Sequence, residues 1–315
     1  MAKKILITGA SGFVGNHLVH SLSSNSNNIL FGTTFSKNKV NNIDNVKLLE
    51  ADLTDEKVVY SLVAELKPDI IYHLAAFTSV ADSFSSPKET ILNNMACQIN
   101  IFEAMKKNNL LDSKTLVVSS AEVYGSVKPE ELPIDEEAPL NPTSPYAVSK
   151  LAQDFLGRQY FLAYNLKTLR VRPFNHVGPG QSPNFVIATF AKKIAEIEKG
   201  KMEPVLTVGN LDAKRDFTDV RDVVKAYELL MEKGEFGDIY NIGSGVSYKI
   251  SDILDRLLSL TTAKIKVEVD KSLFRPIDDP ELICNPAKIQ KLGWKPEILI
   301  DQTLEDTLDY WRNII

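Results

Sequence analysis

Three side chains in one stretch of the chain could move a proton at a carbonyl. The apolar run Thr115 to Val118 reads as a buried strand, and it ends in two hydroxyls, Ser119 and Ser120. Farther on, Ser144 offers a helix N-cap and Pro145 a favoured first helical residue. Tyr146 and Lys150 then stand at i and i+4 and share one helix face. A phenol ordinarily loses its proton near pH ~10. An ammonium beside it favours the phenolate, so the expected pKa of Tyr146 lies below that value. Serine, tyrosine and lysine together would give a proton to a carbonyl oxygen, or take one from an alcohol, near neutral pH. Such chemistry also needs a hydride carrier and a place for the substrate.

The first segment of the chain predicts the carrier. Lys3 to Thr8 is a short buried-type strand, followed by Gly9, Gly12 and Gly15 and a helical stretch from Asn16 to Leu22. Glycines between a strand and a helix allow a tight turn and let backbone N–H groups approach a pyrophosphate. Asn28 to Thr33 predicts the second strand. An NAD site usually has an acidic residue near the end of that strand. Here the chain continues Thr33-Thr34-Phe35-Ser36-Lys37, and Ser36 and Lys37 could instead meet a 2′-phosphate. The expected cofactor is therefore NADP(H), with NAD(H) the other possibility. Asp52, after a third strand from Val46 to Glu50, could accept from an adenine amino group or serve as a cap. The small residues in His73-Leu74-Ala75-Ala76 would let a cofactor lie against backbone, and His73 itself reads as structural.

These residues need elements to position them. Strands and helices alternate from residue 3 to 171, which predicts a doubly wound parallel sheet. Lys88 to Lys107 reads as a long helix containing Asn94, and Pro129 to Pro142 as an acidic, proline-rich surface loop. The helix bearing Tyr146 should run to about Tyr164, followed by a strand from Leu166 to Val171. Arg172 to Gln181 reads as a loop and Phe185 to Lys199 as a helix. Pro204 to Val208 reads as a strand, and Lys214 to Val223 as a charged segment opening a helix to about Lys233. Asp238 to Ile242 should return to the main sheet, with further helices over Ser251 to Leu260 and from about Leu304. The expected division is 1–171 with 216–242 in a cofactor domain, and 172–215 with 243–315 in a smaller, interleaved substrate domain.

Composition narrows the classes. The chain has 315 residues, a net charge of −5 and two cysteines, Cys97 and Cys284. The charge gives no electrostatic case for nucleic acid or an anionic membrane. No apolar run approaches the ~20 residues of a membrane helix. The first strand starts too near Met1 for a signal peptide, and the cysteines have no paired spacing. The expectation is a cytoplasmic protein with free thiols. The four histidines, His17, His20, His73 and His176, form no metal-ligand pattern with them, so no metal is expected.

The combination of Gly9-x-x-Gly12-x-x-Gly15, Ser120 and Tyr146-x-x-x-Lys150 resembles the extended short-chain dehydrogenase/reductase superfamily. The resemblance spans nearly the whole chain. It implies a Rossmann domain for the cofactor and a smaller domain for a nucleotide sugar. It assigns acid/base chemistry to Tyr146, electrostatic support and ribose binding to Lys150, and the substrate oxygen to Ser120. Implied cofactor contacts come from Gly9, Ser11, Gly12, Phe13, Val14 and Gly15, then Thr33, Asp52, Leu53, Leu74, Ala75, Ala76 and Asn94, with Tyr146 and Lys150. Within the superfamily the run Phe174 to Ser182, Val208 to Leu211, Arg215 to Asp222 and Arg275-Pro276 resemble the GDP-4-keto-6-deoxy-D-mannose reductase family, whose members make GDP-D-rhamnose. That likeness implies a GDP-linked sugar held by Ser79, Glu122, Asn175, Asn184, Lys192, Asn210, Arg215 and Arg275. Members commonly form homodimers through the helices containing Asn94 and Tyr146. Phe102, Phe155 and Phe161 suit either that interface or the core.

Rival readings share most of these residues. A GDP-mannose 4,6-dehydratase needs an extra carboxylate near the sugar, and Glu122 stands where dehydratases carry one. Against it, Ser120 replaces their usual threonine, and the loop after Asn175-His176 lacks their arginine-rich continuation. A 4-epimerase would use the same serine, tyrosine and lysine with a bound, regenerated NAD. A non-catalytic dinucleotide sensor would have little reason to keep Tyr146 and Lys150.

Overall fold

The computed structural model describes residues 2–35, 46–274 and 280–315. The first half alternates as the hydrophobic pattern predicts. β1 (Lys3–Thr8) enters α1 (Phe13–Ser23) through the glycine turn, and β2 (Asn28–Thr34) and β3 (Val46–Glu50) follow. α2 (Glu56–Leu66) starts where the Asp55 carboxylate accepts from Lys57 N and Val58 N, and ends at Lys67, whose φ of 44° breaks the helix. β4 (Ile70–His73), α3 (Val80–Ser85), α4 (Pro87–Lys107) and β5 (Lys114–Val118) come next. α5 (Pro145–Tyr164) is capped by the Ser144 hydroxyl, which accepts from Ala147 N at 3.1 Å, and leads to β6 (Thr168–Pro173).

The second half departs from its expected outline in places. Asn175–Val177, expected as loop, forms β7. α6 (Val186–Glu198) and β8 (Val205–Val208) follow. The charged run is first a strand, β9 (Lys214–Asp219), and only then the helix α7 (Val220–Lys233). The chain continues through β10 (Ile239–Ile242), β11 (Ser247–Lys249), α8 (Ile250–Ser259), β12 (Lys266–Val269), β13 (Glu281–Leu282), α9 (Ala287–Gln290) and α10 (Ile300–Ile314).

The main sheet is Rossmann-type, seven parallel strands in the order β10-β6-β5-β4-β1-β2-β3. Its strands are apolar on both faces because helices cover both. Ile5 and Ile7 join α1 and α7 in one core, while Leu6 faces α2 and α4 in another. The strand order reverses between β1 and β4, which opens a crevice at their carboxyl ends. A second sheet carries β9 at its centre, with β11 antiparallel to it and β13 and β7 parallel. β8 pairs with β12 nearby, and α6, α8 and α10 close the second core.

The two cores trade more chain than the expected division allows. Phe217, expected in the first domain, packs into the second core. Ile289 and Trp294, expected in the second, pack into the first. The loop from Pro129 to Pro142 is also not wholly superficial: Ile134 is fully buried and bridges to Cys284.

Candidate active site

β5 delivers Ser119 and Ser120 to the carboxyl edge of the sheet, and α5 lies across that edge. The Ser120 hydroxyl accepts from Glu122 N at 3.2 Å, which starts a short 3-10 turn over Ala121–Val123. The same hydroxyl is hydrogen-bonded to the Tyr146 phenol. Lys150 sits one turn below Tyr146 with its ammonium 6.0 Å from the phenol ring centre. Its Nζ donates to Val118 O at 2.9 Å, and its other N–H groups have no partner among the described residues. Ser119 Oγ donates to Lys150 O at 3.1 Å, so strand and helix hold each other at the reactive end.

The electrostatics correct one expectation. Burial raises the Tyr146 phenol above its ordinary value. The Ser120 hydrogen bond offsets part of that, and the nearby Glu122 carboxylate adds to it. Burial also lowers Lys150, to about 8. Both side chains are less than a tenth exposed, so loss of hydration outweighs the pull of the ammonium on the phenolate. Tyr146 is therefore a protonated donor at neutral pH.

At the crevice between β1 and β4 the residues fit a dinucleotide. Gly9 has a φ of 68°, and a Cβ there would approach Ala75 N to 3.1 Å. A Cβ on Gly15 would fall 2.3 Å from Gly9 O. Glycine is thus required where the turn packs against the 74–76 segment and against itself. The N-cap of α1 is Gly12, with no side-chain cap, so the first-turn N–H groups are left for an anion. Thr33 and Thr34 end β2 with hydroxyls: Gly9 N donates to Thr33 Oγ1 and Ser11 Oγ to Thr34 Oγ1. β2 itself ends in hydroxyls and not in a carboxylate, which suits a 2′-phosphate; Glu50 of β3 is the residue paired with Thr34. Ser36 and Lys37 lie outside the described residues. Phe13 and Val14 open α1, and Leu74, Ala75 and Ala76 are half-buried after β4.

Three expected cofactor residues have other engagements. Asp52 Oδ1 accepts from Thr54 N at 2.9 Å and Thr54 Oγ1 at 2.7 Å, which shapes a turn; Asp55, not Asp52, caps α2. Leu53 is buried in the core on the α4 side. Asn94 is fully buried, and its amide bonds Phe77 N, Phe77 O and Ser149 Oγ. It positions the loop after β4 against α5.

The expected substrate residues are brought together only in part. Asn175 in β7 pairs in register with Phe217 of β9, two residues from Arg215. Arg215 is buried, with Nη1 donating to Lys214 O at 2.8 Å. Glu122 stands beside Tyr146. Ser79 caps α3 by accepting from Asp82 N, Asn210 accepts from Asp212 N, and Asn184 is exposed just ahead of α6. Lys192 lies 3.4 Å from Glu196 and 5.9 Å from the Trp311 ring centre, so partners inside the second lobe hold it. Its i,i+4 spacing to Glu196 accounts for the ion pair. Arg275 lies outside the described residues.

Several positioning groups were not foreseen. Thr8 Oγ1 accepts from Leu74 N and Ala75 N and so donates its one proton to His73 Nδ1 at 2.9 Å. Burial lowers His73 to about 3, which keeps it neutral and structural, as its apolar setting predicts. Asp154, one turn past Lys150, is fully buried between Arg170 at 2.6 Å and Arg172 at 2.8 Å. Two arginines at i and i+2 in an otherwise apolar strand were the available signal, since they share one face and need an anion there.

The geometry finds company among known proteins. A family model described as GDP-mannose 4,6 dehydratase matches residues 6–307. A GDP-6-deoxy-D-mannose reductase of Pseudomonas aeruginosa is 36% identical over 314 residues, covering 99% of this chain and 98% of that one. A human GDP-mannose 4,6 dehydratase is 30% identical over 336 residues, covering 96% of this chain and 89% of the relative. The solved structure of RMD from Pseudomonas aeruginosa complexed with NADPH superposes with a TM-score of 0.87 at 35% identity, covering 99% of this chain and 100% of that chain.

Proposed function

The chain belongs to the GDP-mannose 4,6-dehydratase family, and from that premise we propose that it is an NADP(H)-dependent reductase of GDP-4-keto-6-deoxy-D-mannose, forming GDP-D-rhamnose. The observation that carries this reading is the end-to-end match to the bacterial reductase, at 36% identity against 30% for the human dehydratase. The protonated Tyr146 supports it, because reduction of a ketone needs an acid at the oxygen.

NADPH, when bound along the glycine turn and beside Lys150, supplies the hydride for C4. Tyr146 gives its phenolic proton to the C4 oxygen as negative charge develops there. Ser120, already bonded to that phenol, holds the same oxygen and fixes its distance from the proton. The Lys150 ammonium favours the phenolate left behind, and its unengaged N–H groups suit hydroxyls of the cofactor. Asn175 and Arg215 suit a nucleotide diphosphate sugar on the second sheet. The first lobe would take the cofactor and the second the nucleotide sugar. Hydrogen exchange tests this division: NADPH should protect amides of α1, and GDP those of β7 and β9.

The decisive assay separates the family's two reactions. NADPH or NADH is mixed with the 4-keto-6-deoxy sugar nucleotide, and in parallel GDP-mannose is supplied alone. Nicotinamide oxidation only with the keto sugar is expected; keto-sugar formation from GDP-mannose alone would overturn the reductase. Tyr146→Phe should lower kcat by roughly 10²–10⁴-fold. Glu122 beside Tyr146 is the feature of the site that favours the dehydratase, and the GDP-mannose arm tests it.

A second copy of the chain is the partner its surface supports. Leu92 and Ile99 on α4, and Val148, Phe155 and Leu162 on α5, recur every seven residues and are 37–67% exposed. Phe102, by contrast, is core. Leu162→Glu should convert a dimer to a monomer by light scattering; an unchanged mass would sink this assignment. Among the described residues no helix is long and apolar enough to cross a membrane. Two free buried cysteines support a reducing, cytoplasmic setting, which cell fractionation would check.

A further inference from the structure

The helix that opens at the glycine turn also holds the segment that crosses between the two lobes. Phe13 is the first residue of α1, and His17 lies one turn on, on the same face. The Phe13 ring stacks on the His176 ring, with centres 6.0 Å apart and planes 6° from parallel. His17 meets the same phenyl ring edge-on at 5.5 Å. His17 Nε2 donates to Pro179 O at 2.8 Å. The gripped segment is itself braced: His176 Nδ1 donates to Phe174 O at 3.1 Å, and Gln181 Nε2 to His176 O at 2.8 Å. Gly178 lies so close that a Cβ there would fall 2.7 Å from Val220 Cγ1.

The gripped residues belong to the second sheet: His176 is the middle residue of β7 and Pro179 follows that strand, which joins β6 of the main sheet through Phe174. β7 starts with Asn175 and runs in register along β9, the strand of Arg215. A contact made by α1 is therefore a contact made to the substrate side. The glycine turn and first-turn N–H groups lie at the other end of the same contact chain.

We propose that His17, acting with Phe13, is a positioning residue that couples the two ligand sites. A dinucleotide diphosphate at the N-terminus of α1 fixes the first turn of that helix. The first turn fixes residues 176–179 through the stacked ring and the bond to Pro179. Residues 176–179 in turn hold Asn175 and β7 in the arrangement that a nucleoside diphosphate requires. Binding at one site then strengthens binding at the other, and by linkage the effect is equal in both directions. The proposal rests on the reading that the second lobe takes a nucleotide sugar.

The test is calorimetry on the full chain, with GDP titrated in the absence and presence of saturating NADPH, and NADPH titrated with and without GDP. Wild type should bind GDP about fivefold or more tightly with NADPH present, and the reverse titration should return the same factor. His17→Phe keeps an aromatic ring against Phe13 and removes the donor to Pro179. It should bring the coupling factor to about one while NADPH alone binds within about twofold of wild type. His17→Gln, which keeps a donor, should recover part of the coupling, and it replaces His17→Phe if that variant does not melt cooperatively. A merely structural role would weaken both ligands and leave their ratio alone. A wild-type factor of one, a factor unchanged in His17→Phe, or loss of NADPH binding itself would each overturn the proposal. If GDP does not bind wild type at all, the nucleotide-sugar reading fails first and the coupling with it.

Discussion

Two buried aspartates stand next to two cations of the site, and they are held in opposite ways. Asp154 lies one turn after Lys150 on α5, and its partners are charged: Arg170 at 2.6 Å and Arg172 at 2.8 Å, both from β6. Asp216 follows Arg215 on β9, and its partners are neutral. Oδ1 accepts from Ser244 N at 2.8 Å and Ser244 Oγ at 2.6 Å, and Oδ2 from Gly245 N at 2.9 Å and Cys284 N at 3.1 Å. α5 is thus fixed by ions, and β9 by dipoles gathered from two other segments. Charge is indispensable at the first position, while acceptor geometry is what matters at the second.

The largest effect should come from removing the charge at Asp154. Asp154→Asn keeps the volume and leaves two buried guanidinium groups without an anion. A buried charge stripped of its partner costs about 3–5 kcal/mol. Denaturant unfolding should show a loss of that size, and kcat should fall as well, since Tyr146 and Lys150 ride on the same helix. A loss below about 1 kcal/mol would mean that the arginines find other anions, and the contrast with Asp216 would collapse.

Lys150 sharpens the same contrast, because it is a buried cation without an anionic partner among the described residues. Burial lowers it from 10.5 to about 8. The unfolded chain therefore binds more protons than the folded one between those values. The cost of burying the ammonium is fully present below about 8 and is relieved as pH rises toward 10.5. Lys150→Met should remove that slope, so the stability difference between variant and wild type should shrink by ~3 kcal/mol across the window. Chemical denaturation of both proteins at several pH values between 7 and 10 measures it. Parallel curves would show that Lys150 keeps its ordinary pKa when folded.

What could be read from the sequence follows the same physical line. The glycine turn and the Tyr146–Lys150 pair were legible because their partners lie within a few residues or one helical turn. β7 and β9 were not, because three- and six-residue strands gain their identity from each other across the chain. The run from Lys214 to Asp222 looked like a helix start because its charges suit one, yet Arg215, Asp216 and Phe217 are all buried in a sheet. Lys192, which the resemblance implies as a sugar-nucleotide contact, also has Glu196 four residues on, and that pairing is local enough to read from the sequence. Tyr146 was assigned a lowered pKa from its neighbour alone; burial, which sequence spacing does not report, reverses the direction.

Asp216→Asn should give the smallest of the three effects and the most selective one. The amide keeps one oxygen, so one pair of donors stays satisfied. Its NH₂ group must face the other pair: toward Gly245 and Cys284 it meets two backbone donors, and toward Ser244 it meets the backbone N–H, while the hydroxyl can turn its proton to Val246 O and accept. Leaving such buried groups unsatisfied costs about 1–3 kcal/mol. Burial raises the Asp216 carboxyl above its ordinary value, against the pull of its hydrogen bonds to Ser244, Gly245 and Cys284. The strain falls where β9 meets the 243–246 turn and β13, directly beside Arg215. KM for the sugar nucleotide should therefore rise while kcat holds, whereas Asp154→Asn lowers kcat. If both variants lower kcat alike, the two lobes do not act as separable supports, and the distinction between an ion-held helix and a dipole-held strand has no functional content.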